Sequence, residues 1–121
     1  MTTAVLEPVT RQRQQALIRA NKLRHGSAAF RREVAQQPMA QGLAILADAL
    51  EQPVVPEIAG VLTVERFIGS ARRHGPRKVA QVLNRAAVGR YPNRERRHGL
   101  RVRDLTLPER SRLAAVLRED S

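Results

Sequence analysis

The chain has 121 residues, 42% of them hydrophobic, no cysteine, and a formal net charge of +11. Its length suits one domain with a modest core, and the missing cysteines exclude disulfides, thiolate zinc sites and a cysteine nucleophile together. MTTAVLEPVT lacks the charged and apolar regions of a secretory leader, and no apolar run approaches the ~20 residues of a membrane span. A cytoplasmic protein with no membrane role is therefore expected, with a polyanionic partner to match the charge.

Apolar and small residues near the start recur at Ala16, Ala20, Leu23, Ser27, Phe30 and Val34, a helical stripe whose phase holds across Gly26. One long helix over about 9–36 is the reading. A break at His25-Gly26-Ser27, with glycine ending one helix and serine capping the next, is its rival. The stripe leaves a monomer or a weak dimer open. Pro38 ends this helix. Leu43, Leu46, Ala47 and Leu50 mark a second over about 40–51, and EQPVVPEIAG follows as a stiff connector.

Thr63 is the expected N-cap of a third helix bearing Val64, Phe67, Ile68 and Ala71. Gly75 closes the next turn, and Pro76 suits the first position of a fourth helix, whose inner face is Val79, Val82, Leu83 and Ala86. Lys78, Gln81 and Arg85 fall on its outer side. An arginine-rich arm, about 89–104, comes next, where LRVRDL allows a short extended segment. Thr106 and Glu109 then form a capping box for a fifth helix over about 107–119, with Leu113, Val116 and Leu117 inward. The class is all-α: a long N-terminal helix (1–38) and a compact body (39–121) of about four shorter helices.

The charge is unevenly spread. Residues 1–60 carry +2 and residues 61–121 carry +9, and between Arg66 and Arg103 twelve basic residues are set against Glu95 alone. In SARRHGPRKVAQVL, Gly75 lets the backbone approach a partner closely or adopt positive φ. The first amides of the following helix are unsatisfied and the dipole is positive there, which suits a phosphate. Arg77 and Lys78 in that first turn disfavour the helix by itself, a cost that an anion would relieve. Arg72 and Arg73 flank the turn. Arg101 and Arg103, as alternate residues of an extended segment, would face the same way. Arg94, Arg96 and Arg97 sit in the arm, suited equally to a minor-groove contact and to a solvated loop.

Two segments carry a family resemblance: TVERFIGSARRHGPRKVAQVL, with Gly75 and Lys78 in a Gly-x-x-Lys turn, and LRVRDLTLPERSRLAAVL, with Arg101, Val102, Arg103 and Leu105 as Arg-apolar-Arg-x-Leu. The chain from Ala16 to Val116 resembles the actinobacterial integration host factor family, nucleoid proteins with a helix–two-turn–helix element. Arg24, Arg31 and Arg32 of the long helix correspond as well. Pro76 and Arg77 depart from the family's usual Lys-Val, and RYPNRERRHG looks like an insertion. The resemblance implies binding of double-stranded DNA with little sequence specificity, a place in the nucleoid, help to site-specific recombination with a recombinase or integrase as partner, and a long helix lying as a lid beside the body.

Other chemistry finds little footing. The three histidines, His25, His74 and His98, stand at spacings that match no metal-ligand pattern. No carboxylate pair suits acid–base work, no glycine-rich nucleotide loop is present, and no cofactor is implied. Phe30 and Phe67 lie on apolar faces, which leaves Tyr91 alone, too little for a base-stacking platform. A non-enzymatic DNA-binding protein is the expectation. The alternative is an RNA-binding or ribosome-associated protein, because a related turn occurs in a small-subunit ribosomal protein. The turn also resembles DNA-binding modules of base-excision glycosylases, which need a catalytic residue or further domain that this sequence does not offer.

Overall fold

A computed structural model describes residues 3–88 and 99–121, with side chains from residue 9 onward. Among these the protein is all-α. In chain order the elements are α1 (Thr3–Gln36), α2 (Met39–Glu51), the single-turn α3 (Glu57–Gly60), α4 (Val64–Gly69), α5 (Pro76–Arg85), a 3-10 turn (Val102–Asp104) and α6 (Leu107–Asp120).

The long helix runs unbroken through Gly26, and the structure shows what that glycine does. A Cβ there would stand 2.8 Å from Cγ2 of Ile58, so the missing side chain is a notch that seats α3. One residue on, the buried Ser27 donates its hydroxyl to the Ile58 carbonyl. The residues that suggested a helix break are thus the seat of α1 on the body. The stripe divides at this point. Ala16 and Ala20 are exposed, Leu23 and Phe30 are half-buried, and Ser27 and Val34 are buried. Residues 9–22 are exposed on every side, and good helix formers such as Gln, Arg, Ala and Leu sustain them there.

The connector after α2 contains α3, which its two prolines had obscured. Pro56 occupies the N-cap position, where its carbonyl accepts the first helical bond from the Gly60 amide at 2.8 Å. The core gathers Leu43, Leu46 and Leu50 of α2, Phe67 and Ile68 of α4, Val82 and Leu83 of α5, and Leu113 and Leu117 of α6. The Phe30 and Phe67 rings stack with centroids 6.1 Å apart, which ties α1 to α4. The expected caps are present. The Thr63 hydroxyl accepts from the Arg66 amide, and Thr106 and Glu109 make both bonds of the capping box. The third expected helix is shorter than its apolar pattern, ending at Gly69 and leaving Ala71 buried in the turn. After residue 98 the chain returns beside α4. Thr63 and Arg101 form one antiparallel bridge, with the Val64 amide donating to the Leu100 carbonyl at 2.8 Å and the Val102 amide to the Leu62 carbonyl at 2.9 Å.

Arg118 of α6 holds Asp48 and Glu51 of α2, and Arg85 of α5 holds Asp120 and Glu119 of α6. Hydrogen bonding from Arg118 holds the Glu51 carboxyl below the ordinary glutamate range, with desolvation opposing it and the charge of Arg118 adding to it. A depressed carboxylate stabilises the fold above its unfolded pKa, about 4.3, and that contribution is lost as pH falls through the folded value. Glu51→Gln is therefore expected to be slightly less stable than the parent at neutral pH in urea denaturation. The gap should close on acidification below about pH 4 and shrink in high salt.

The notch makes a second prediction. On an open helix face Gly→Ala stabilises by about 1 kcal/mol. Gly26→Ala is expected to lower the melting temperature instead, and in an Ile58→Leu background, which lacks the clashing Cγ2, the same change should become neutral or stabilising.

Candidate nucleic-acid interface

The turn between α4 and α5 is built on buried polar groups. Ser70 donates its hydroxyl to the Arg66 carbonyl at 2.8 Å, and the His74 amide donates to the Ala71 carbonyl at 3.2 Å. The His74 ring is 5% exposed and lies under the turn. Its Nδ1 is 3.0 Å from the Arg72 carbonyl, an atom that can only accept, so Nδ1 carries the proton. Arg73 sits between them in the left-handed region, φ 62°, a conformation that costs an L-residue roughly 1–2 kcal/mol.

That position corrects the reading of Gly75, whose φ of −74° and ψ of −180° are extended backbone open to any residue. A Cβ there would meet nothing within 4 Å. The packing of the protein does not require this glycine; its effect is to leave bare the space before the first amides of α5. No side chain caps that helix start, and Pro76 opens it, so the amides of Arg77 and Lys78 point out unclaimed. Arg73 and Arg77 are exposed beside them and Lys78 is half-buried.

Arg72 serves differently from its neighbours. Its Nε donates to the Ala35 carbonyl at 2.8 Å and its Nη2 to the Gln36 carbonyl at 3.3 Å. It therefore caps the C-terminus of α1, where unpaired carbonyls and the negative end of the dipole favour a cation. Arg112 does the same at the end of α5, through the Ala86 carbonyl at 2.9 Å, and Arg110 donates to the Gln52 carbonyl beyond α2.

Arg101 and Arg103 do not share one edge. Arg101 is extended in its bridge to Thr63, after which the chain tightens into the 3-10 turn and carries Arg103 over Gly60, Cβ 3.3 Å from where a Cβ of that glycine would be. Arg101 instead joins Arg24, Arg31 and Arg66 along a groove between α1 and the body. Sequence reading missed Arg66 as a site residue. Arg24 and Arg31 stand seven apart, two turns along one helix face, a spacing that points to a shared wall. Arg94, Arg96 and Arg97 lie outside the described residues.

The unpaired cations thus follow α1 from the groove to its C-terminal end, where Arg72 joins the helix to the turn. The carboxylates Asp48, Glu51, Glu119 and Asp120 are paired on α2 and α6. Among the described residues no group of histidines and carboxylates could hold a metal ion, and no helix is long and apolar enough to cross a membrane. No protein-family model, curated protein or solved structure matches the chain.

Arg72→Ala is expected to cost about 1 kcal/mol through the two carbonyl bonds it loses. Arg73→Ala and Arg77→Ala should stay within about 0.5 kcal/mol of the parent, as surface changes do. Thermal unfolding of the three variants separates the capping arginine from those offered to solvent.

Proposed function

We propose that this is a non-enzymatic, architectural protein of double-stranded DNA that grips the phosphate backbone with little sequence preference, and that it organises the nucleoid or assists site-specific recombination. The observation that carries the reading is the sorting of charge. Arginines near carboxylates or free carbonyls are engaged by them, while Arg73, Arg77, Lys78, Arg101 and Arg103 have no such partner among the described residues. Two free amides and two cations meet at the start of α5, in front of a glycine that the fold does not need. Such a site holds a phosphate by charge and main-chain donors, and contacts of that kind position a protein without reading bases. The resemblance of 63–83 and 100–117 to integration host factor segments supports the same reading.

The test is fluorescence anisotropy on unrelated duplexes, a single strand and a duplex RNA, each across a salt series. The duplexes are expected to bind alike with a log–log salt slope of about −4 to −7, meaning roughly five to eight phosphates. Arg77→Ala and Lys78→Ala should weaken all duplexes equally and flatten the slope by about 1 each. Gly75→Asp separates fold from function. It supplies an N-cap and a helix-favourable charge, so stability should rise by about 0.5–1 kcal/mol, while the carboxylate repels phosphate and duplex affinity should fall. Unchanged affinity in that variant overturns the clamp, and preference for the RNA duplex overturns the DNA assignment.

A further inference from the structure

The groove between α1 and the body carries more cation than a backbone clamp elsewhere requires. Its volume is about 460 Å³, within the roughly 300–1,000 Å³ of small-molecule sites. Arg24 and Arg31 line it from α1, Arg66 from α4, and Arg101 from the strand-like bridge. No carboxylate lines it, so four arginines border one groove without a compensating charge. The Nε of Arg31 is buried with no hydrogen-bond partner. A buried donor left unmet costs about 1–3 kcal/mol, more when charged, and a rotation of Arg31 toward an oxyanion in the groove would meet it. The rest of the lining is apolar, with Leu23 on one wall and Val61 and Leu62 on the other. Ser27, also in the lining, already donates its hydroxyl to the Ile58 carbonyl and has no donor left for a ligand.

We propose that this groove binds a nucleoside di- or triphosphate, with the phosphates among Arg24, Arg31, Arg66 and Arg101 and the base against Leu23, Val61 and Leu62. Guanidinium groups are suited to paired phosphate oxygens because their fork matches two acceptors at once. The apolar walls favour a ligand with a flat, weakly solvated portion over bare phosphate. The concavity favours a small molecule over a duplex, whose convex backbone meets exposed Arg24 and Arg101 before it meets the buried Nε of Arg31. The site is distinct from the turn at 73–78 and shares only Arg101 with the cations counted for the DNA reading, so ATP binding and duplex binding test the two separately.

The test is isothermal titration calorimetry of the full chain with ATP in magnesium-free, low-salt buffer, alongside pyrophosphate, inorganic phosphate and adenosine. ATP is expected to bind one per chain, more tightly than pyrophosphate, with inorganic phosphate weaker still and adenosine silent. Arg66→Gln and Arg101→Gln, both at exposed positions, should each weaken ATP by about tenfold or more, and Arg31→Gln at least as much. Arg77→Ala at the turn should leave ATP affinity within about twofold, since a distant surface charge contributes little. Equal affinities for ATP and pyrophosphate overturn the nucleoside half of the proposal. A loss in Arg77→Ala equal to that in Arg66→Gln shows diffuse attraction to a basic protein and overturns the site. So does the absence of ATP binding, including the case in which Arg66→Gln and Arg101→Gln weaken duplex DNA instead.

Discussion

The seat of α1 on α3 builds the cationic groove and brings the end of α1 to the α4–α5 turn. It rests on an absence and a hydrogen bond: the missing Cβ at Gly26 admits Ile58, and Ser27 fastens the Ile58 carbonyl. With that contact in place, Arg24 and Arg31 face Arg66 and Arg101 across the groove, Phe30 reaches Phe67, and the end of α1 comes within reach of Arg72. Arg72 then links the far end of the same helix to the α4–α5 turn. The helix is held by the notch at Gly26, by Phe30 and Val34 against the core, and by Arg72 on its last carbonyls, while residues 9–22 are left exposed.

Arginine suits a protein that must use one residue type for two purposes. Twenty of the 22 basic residues are arginine. Its fork of donors bridges adjacent carbonyls, as Arg72 and Arg112 do at helix ends, and grips two carboxylates at once, as Arg118 and Arg85 do. A lysine presents a compact charge with a tighter hold on water, and would cap such ends less well. The fold draws its ionic connections from the population that also supplies its surface charge, so net charge alone overstates what is available to a partner. Of the carboxylates that reduce that charge, Asp48, Glu51, Glu119 and Asp120 are paired with arginine on α2 and α6, and Glu109 caps α6.

Most of the architecture was legible because local rules and packing agree. Pro38, Thr63, Pro76 and the Thr106–Glu109 box each mark a boundary that the structure keeps. The short α3 was not legible: one turn leaves no periodicity, and its prolines read as a connector. The two glycines were read with their roles misplaced. Gly26 resembles a helix stop, and only the arrival of Ile58, 32 residues later in the sequence, shows it to be a packing notch. Gly75 resembles a residue chosen for positive φ, but Arg73 takes that conformation, and no residue type announces a strained arginine. For the site, the sequence located the turn and its cations. It could not separate Arg72 from Arg73, because adjacent residues in a turn point to different neighbours and the carbonyls that claim Arg72 belong to a helix 36 residues away.

The arrangement also constrains how anions at the two surfaces relate. Anything bound in the groove touches α1 and the body at once, and so stabilises the seated helix by mass action in proportion to its occupancy. A phosphate at the turn sits on the element that Arg72 joins to the same helix. The turn's strained Arg73 and its buried His74 hold its shape before any ligand arrives, so binding there has little ordering to do. The groove differs, since one of its walls is α1, whose residues 9–22 are exposed. A ligand that spans the seam between α1 and the body would therefore add contacts to the helix beside its seat at Gly26 and Ser27.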